Sequence, residues 1–514
     1  MDLRGKLLQS REILLVAGMV TFGVAVRLIK ISQPYVDGWS FKQGTIAMIA
    51  ENFYRNGFNI FYPQVNWAGS APGYMGTEFP LVPFLASLLY MPFGVQEWIG
   101  RSLSVFFFSV SLPFFYLLAK KISNQRTAIF AALIYVLAPL SIFASRSFMS
   151  DMASLSFSVM ALYLFNRWLE RSDSLHLLLA ASLTTGLAIL VKAPAVIIGL
   201  PLLYMSWEKH GTLWLRQREL WIFAGISLVL PAAWYIHAYV IMLSYPPHKF
   251  AGSEGMALAD LPLYGLIVRQ LVGSSLTPLI AAAAVVGLFL PAPGKCGRMF
   301  HWWLAALGLF AFFAGVGNRH SWYQLPAVPI AAVLSGRAFD FALRKLGALA
   351  DSKTAEPLAG VFLFAVFALV SYGYVKPMYD PWAIPLREAG QMVDRMAPPD
   401  ALAIFVADGD SSQIYYSRRK GWHAFDASNW GTPLNSEQAI GELETLRKRG
   451  AKYLVFTRYT VWWLDYYEDF QKHLDSHYIR AQETEDYVIF DLADKGNQEA
   501  EWRIVSARAN VWTD

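Results

Sequence analysis

A polytopic α-helical membrane protein with a small α/β domain at its C-terminal end is the architecture that three observations predict. The 514 residues are 55% hydrophobic and only 16% charged, with a mean hydropathy of +0.35, whereas soluble domains carry about 25% charged residues. Apolar residues come in separated runs of roughly 16–22, close to the ~20 a helix needs to cross the hydrocarbon core. The alternating ten-residue pattern of an outer-membrane barrel is absent, and after residue 376 the apolar runs shorten to strand length and alternate with a helical pattern.

The basic N-terminus, MDLRGKLLQSRE, leads into a long apolar run with no A-x-A-like cleavage site, so 12–31 reads as an uncleaved first span. The further spans are 102–119, 127–145, 152–169, 175–191, 194–208, 220–243, 275–291, 300–317, 321–341 and 357–375, giving about 11 transmembrane helices. Basic connections separate them: Lys120, Lys121 and Arg126; Arg167 and Arg171; Lys209, Arg216 and Arg218; Lys295 and Arg298; Arg344, Lys345 and Lys353. Cytoplasmic loops are enriched in Lys and Arg, and eleven spans with the N-terminus inside place all of these connections inside. The run FPLVPFLASLLYMPFG, 79–94, holds three prolines and has no basic flank before it. Counting it as a crossing would reverse the topology downstream, so it reads as a juxtamembrane helix on the outer face.

Residues 1–376 thus form the transmembrane domain, with 32–101 as its first external loop and an amphipathic stretch near 41–57. The connection 244–274 is a smaller external loop. In 377–514, ALAIFVAD, AKYLVFT and DYVIFDL read as strands, and SEQAIGELETLRKRG as a helix stopped by Gly450. Alternating strand and helix implies an extracytoplasmic α/β domain. A single cysteine, Cys296, excludes intramolecular disulfides and multi-cysteine metal sites. The formal charge of +5 reflects topology and anionic lipid, and nucleic acid is not expected as a partner.

Ionisable groups at membrane depth are costly and usually functional, and here they gather at the predicted outer face. Asp37, Lys42 and Glu78 lie in the first loop, and Arg146 and Asp151 in ASRSFMSD. Lys192 lies in GLAILVKAP, His248 in YPPHKF, and Arg319, His320 and Tyr323 in GNRHSWYQLP. Arg27 and Lys30 crowd the outer end of the first span, where topology does not call for them. Carboxylates take protons from attacking hydroxyls, while Lys and Arg neutralise a phosphate as it leaves. That mixture suits group transfer from a lipid phosphate. Asp37, Glu78 and His248 are the candidate ligands for a divalent cation, whose requirement is left open. The DGD at 408–410 reads as a chance acidic cluster rather than a nucleotide-sugar motif.

The order of these stretches resembles the GT-C superfamily of integral-membrane glycosyltransferases, most closely the protein O-mannosyltransferases and lipid A aminoarabinose transferases. The resemblance runs over roughly 12–340 through PYVDGWSFKQGTIAMIAENFYRNG, TEFPLVPFLASLLY, ASRSFMSDMASLSFSVMALYLFNRW, GLAILVKAPAV and HSWYQLPAVPIAAVLSG. It implies a GT-C fold and an inverting transfer from a polyprenyl-phosphate sugar to a glycan, lipid or protein hydroxyl, on the periplasmic side of a bacterial inner membrane. It further implies Asp37 as general base, Asp151 and Glu78 as catalytic or substrate-orienting acids, and Lys192 and Tyr323 at the lipid phosphate. Arg146, Arg319, His320, Lys42 and His248 are the remaining candidates for binding donor or acceptor. Gly38 stands where protein O-mannosyltransferases carry a second acid, and Phe79 breaks their tandem proline. An O-antigen ligase or polymerase, a flippase of lipid-linked sugars and an envelope scaffold are the alternatives the residues leave open.

Overall fold

The computed structural model describes residues 3–250, 261–292, 294–314, 319–350, 355–424, 432–493 and 495. The chain divides into two units. The first comprises 1–33, 76–240 and 250–379, and the second 34–75, 241–249 and 380–514.

The first unit is helical, and the predicted apolar runs are its helices, with differences that have local causes. Pro139 lacks an N–H and cannot continue the preceding helix, so the predicted span 127–145 is broken into Gln125–Leu137 and Pro139–Ala144. Pro194 likewise turns the start of the next span into a 3₁₀ segment, Ala193–Ile198, before the helix Gly199–His210. The stretch 244–274, expected as loop, holds a short helix, Leu261–Gln270; residues 251–260 of it lie outside the described residues. Glu97–Ile122, Arg218–Ser244 and the run beginning at Pro357 are long and apolar enough to cross a membrane, and Leu261–Leu276 with Pro278–Phe289, bent by 107°, would make a fourth. At 1.5 Å per residue, the 13 residues of Leu81–Phe93 reach about 20 Å, short of the ~30 Å hydrocarbon core.

Arg27, read as a candidate at the outer end of the first span, is a packing residue. It is fully buried, donates to the carbonyls of Gly23 (3.0 Å) and Val136 (3.2 Å) and to Ser141 and Ser145, and lies 3.4 Å above the Phe108 ring. A buried guanidinium is tolerated where its donors and its face are all engaged. The helices Pro278–Phe289 and Ala327–Ala350 approach so closely that a Cβ on Gly287 would fall 1.8 Å from the Leu334 carbonyl. Small residues allow this kind of contact between membrane helices.

The second unit holds a five-stranded sheet of β1 (Leu402–Val406), β2 (Lys420–His423), β3 (Ala451–Thr457), β4 (Ile479–Glu483) and β5 (Tyr487–Asp491). Its order is β2-β1-β3-β5-β4, with β1 parallel to β2 and β3, and β5 antiparallel to β3 and β4. The three strands read from the sequence are the three central ones; the edge strands β2 and β4 are short or polar, as edges usually are. Ile404, Leu454, Phe456 and Phe490 pack against Ala439 and Leu443 of the helix Ser436–Lys448 and against Phe470 and Leu474 of Glu468–His477.

The predicted first external loop, 32–101, is divided: residues 34–75 belong to the second unit and 76–101 to the first. Residues 34–75 are built into the second unit, through both backbone and buried polar contacts. The Tyr35 N–H donates to the Tyr416 hydroxyl (2.8 Å), Ser40 donates to Asp410 (2.8 Å), and Thr45 and Ser411 share a hydrogen bond (2.9 Å). The helix Ser40–Asn56 presses Gly44 against the backbone of Ser412, leaving no room for a larger residue without displacement.

Buried His423, on β2, gives this unit a pH dependence. Burial, with Lys249 adding to it, pushes His423 down to about 3, from an ordinary value of about 6.5. Between those values the unfolded chain binds a proton that the folded unit refuses, so stability is full above about 6.5 and is lost progressively as pH falls toward 3. Thermal unfolding at stepped pH is expected to show wild type losing stability relative to His423→Gln as pH falls from 7 to 5. Parallel curves for the two proteins would refute this.

Candidate functional site

The antiparallel pairing of two helices creates the charged centre of the first unit. Asp151–Glu170 and Leu175–Val191 are joined by residues 171–174, a connection short enough to fold the helices back on one another. The start of one therefore lies beside the end of the other. Asp151 is the first residue of its helix and Lys192 follows the last residue of its own. Each complements its helix dipole, an anion at an N-terminus and a cation at a C-terminus. Lys192 Nζ lies 2.6 Å from Asp151 Oδ1 and 3.6 Å from Glu78 Oε1.

Glu78 is delivered to this centre by its neighbours. The Trp234 indole donates to the Thr77 carbonyl (2.9 Å), and the Phe79 N–H donates to the carbonyl of Leu190, two residues before Lys192 (3.2 Å). The Tyr235 hydroxyl donates to the carbonyls of Ile189 and Leu190, closing the same helix end. Tyr323, in the 3₁₀ turn Ser321–Gln324, places its ring 5.0 Å from Lys192 Nζ. A small cavity of about 30 Å³ is lined by Asp151, Lys192, Trp322 and Tyr323.

Lys192, Asp151 and Glu78 are all buried. Burial opposes the charge on Lys192, but Asp151 and then Glu78 overcome it and hold the lysine above its ordinary range. The Tyr323 hydroxyl can donate a hydrogen bond. An ammonium has three donors. The contact to Asp151 uses one of them, and the Glu78 oxygen at 3.6 Å is beyond a well-formed hydrogen bond.

Other predicted candidates of this unit lie in different surroundings. Arg146 is fully buried, donates to the Lys30 carbonyl (2.8 Å) and covers the Tyr379 ring at 4.3 Å. His320 stacks flat on Trp322 at 4.2 Å, with Arg319 exposed beside it in sequence.

In the second unit Asp37 is fully buried, and its carboxylate accepts a hydrogen bond of 2.6 Å from Gln43 Nε2. Its backbone carbonyl accepts from the Trp382 indole (3.0 Å). Both partners escaped sequence reasoning. Gln43 carries a weak signal as an amide near the start of an amphipathic helix; Trp382 is 345 positions away and carries none. Lys42 is half-buried on the same helix, and His248 is exposed, its Nδ1 3.2 Å from the Met242 carbonyl. Asp410 of the DGD stretch is taken up by the fold. It accepts from Ser40 and from the Ser412 N–H (2.7 Å), and burial pushes its carboxyl up against those hydrogen bonds. No group of three or more His, Cys, Asp or Glu residues among those described is arranged to hold a metal ion.

The sequence model of the dolichyl-phosphate-mannose-protein mannosyltransferase family matches residues 76–237, the stretch that contributes Glu78, Asp151 and Lys192. No curated protein sequence matches the chain. Among solved structures, ArnT from Cupriavidus metallidurans bound to undecaprenyl phosphate is similar with a TM-score of 0.60 at 15% identity, over 93% of this chain and 98% of that one. The Archaeoglobus fulgidus oligosaccharyltransferase AglB, in complex with an inhibitory peptide and a dolichol-phosphate, gives 0.55 at 12% identity, over 93% and 74%. The mycobacterial arabinofuranosyltransferase AftD gives 0.53 at 14%, over 93% of this chain and 41% of its own. At such identities the likeness is one of fold. The chain has the GT-C fold of the integral-membrane glycosyltransferases that its motifs resemble.

Proposed function

We propose that this protein is an inverting glycosyltransferase that moves a sugar from a polyprenyl-phosphate donor to a hydroxyl acceptor at the outer face of a bacterial cytoplasmic membrane. The observation that carries the reading is the buried Lys192, paired with Asp151, flanked by Glu78 and Tyr323, and set within the segment that resembles mannosyltransferases. The ArnT fold, which holds undecaprenyl phosphate in the similar structure, supports the lipid phosphate as the leaving group.

In this mechanism the acceptor oxygen attacks C1 of the sugar from the face opposite the phosphate. A C–O bond forms to the acceptor, the C1–O bond to phosphate breaks, and the bonding pair leaves with the lipid phosphate. Lys192 and the Tyr323 hydroxyl donate to the phosphate oxygens, and their interaction strengthens as charge builds there. Asp151 and Glu78 keep Lys192 charged and aimed. Asp37 takes the acceptor proton as the hydroxyl attacks.

The test is incubation of purified protein in lipid nanodiscs with defined polyprenyl-phosphate sugars and simple hydroxyl acceptors, following free polyprenyl phosphate by mass spectrometry. Release that depends on the donor sugar is expected. Movement of intact donor across the bilayer without release would replace this reading with a flippase.

A further inference from the structure

Glu78 comes to Lys192 because a proline leaves a carbonyl without its helical donor. In an unbroken helix the Leu190 carbonyl would accept from the N–H four residues on, but position 194 is proline, which has none. Two groups from elsewhere in the first unit take that place. The Phe79 N–H donates to the Leu190 carbonyl at 3.2 Å. The Tyr235 hydroxyl reaches the same oxygen at 3.3 Å and that of Ile189 at 3.2 Å. An interior acceptor left unmet is costly, so the pairing is favoured. Phe79 follows Glu78 directly, and Lys192 stands two residues after Leu190. The backbone bond therefore draws carboxylate and ammonium to one end of the helix Leu175–Val191.

The helix Arg218–Ser244 braces this junction. It runs parallel to Leu175–Val191: Ser227 donates to the Ser182 carbonyl (3.2 Å), and eight residues further along both helices Tyr235 reaches Leu190. Gly186 permits the approach, since a Cβ there would fall 3.1 Å from the Ser227 carbonyl. Trp234 and Ala238, one turn apart, receive residues 76–79. The Trp234 indole donates to the Thr77 carbonyl (2.9 Å), and its ring meets Phe79 edge-on at 5.0 Å. Gly76 lies so near that a Cβ would fall 2.4 Å from the Ala238 carbonyl. Two aromatic residues adjacent in the sequence thus hold the two segments that carry Glu78 and Lys192, each through a side-chain donor spent on main-chain carbonyls.

We infer that Trp234 and Tyr235 are positioning residues for phosphate recognition. They fix Glu78 against Lys192 and so set the direction in which the ammonium is offered to a lipid phosphate. The inference rests on the reading of Lys192 as a phosphate-binding group. With the brace loosened, Glu78 no longer stands at 3.6 Å, and Asp151 at 2.6 Å alone sets where the ammonium points.

Native mass spectrometry of the full-length protein in detergent micelles tests this, with undecaprenyl phosphate and undecaprenol as probes, the second having the same tail and no phosphate. Trp234→Phe keeps a ring against Phe79 and deletes the donor to Thr77; Tyr235→Phe deletes the donor to the helix end. Each is expected to weaken undecaprenyl phosphate about five- to tenfold, the worth of one hydrogen bond, and to leave undecaprenol within about twofold of wild type. A packing role moves both lipids together or neither, and either result overturns the inference. Glu78→Gln supplies a second check. In that background Trp234→Phe should cost little more, because a residue that acts through Glu78 has nothing left to position; additive losses overturn the role of Trp234. If wild type binds undecaprenyl phosphate no better than undecaprenol, the phosphate reading of Lys192 fails and this inference falls with it. If wild type and both variants discriminate equally, only the positioning role is lost.

Discussion

Lys192→Met is expected to abolish sugar transfer and to lower folded stability by about 3–5 kcal/mol, the usual cost of stranding a buried charge. Lys192 stands between Asp151 at 2.6 Å and Glu78 at 3.6 Å, and all three are shielded from solvent. Removing the cation takes from both carboxylates the counter-charge they share. Methionine fills a similar volume, so the loss reports charge rather than packing. Adding Asp151→Asn to Lys192→Met separates structure from chemistry. The double variant should regain part of the lost stability, because one stranded carboxylate is gone, and none of the lost transfer, because the cation is still missing. The measurements are thermal unfolding in nanodiscs and release of polyprenyl phosphate. Wild-type turnover in Lys192→Met would remove Lys192 from the mechanism.

Asp37→Asn is expected to slow transfer by about two to four powers of ten, the range that a general base contributes, with folding and donor binding intact. Asparagine keeps an oxygen at the position of Oδ1, so the hydrogen bond from Gln43 at 2.6 Å can persist. The Trp382 indole binds the backbone carbonyl, which the substitution leaves alone. What disappears is the capacity to accept a proton. Turnover with saturating acceptor reads the effect directly, and a rate within a few-fold of wild type would take the base role from Asp37.

The sequence made the helical unit legible because span length, proline position and basic connections are local signals. Pro139 and Pro194 are visible in the sequence, and so are the breaks that they cause. The pairing of Asp151 with Lys192 was nearly legible, since a connection as short as 171–174 folds two helices back on each other and brings their far ends together. The surroundings of Asp37 were not. Ser40 meets Asp410 and Trp382 meets Asp37 across separations of 370 and 345 residues, and no periodicity encodes such meetings. His248 shows the same limit from the other side. It looks like a membrane-surface site residue beside Lys249, yet it lines a cavity with Trp67 and Trp422. The strands missed carry no alternating apolar pattern: KGWH is four residues long and buries a glycine and a histidine beside its tryptophan, and IRAQE is a polar, largely exposed edge.

The second unit, stitched from three distant stretches of chain, imposes an order on biosynthesis. Tyr35 finds the hydroxyl of Tyr416 381 residues later, and at roughly 5–20 residues per second the ribosome needs about 20–80 s to make that partner. During the wait, the segment bearing Asp37 must be kept from aggregating or pairing wrongly outside the finished fold, while the intervening helices enter the bilayer. A chain that stalls before residue 410 therefore has its membrane helices but not the partners that bury Tyr35, Ser40 and Thr45, so its first loop stays open to proteases. Completion of these contacts is a built-in check that translation has passed residue 416 before the proposed base is set.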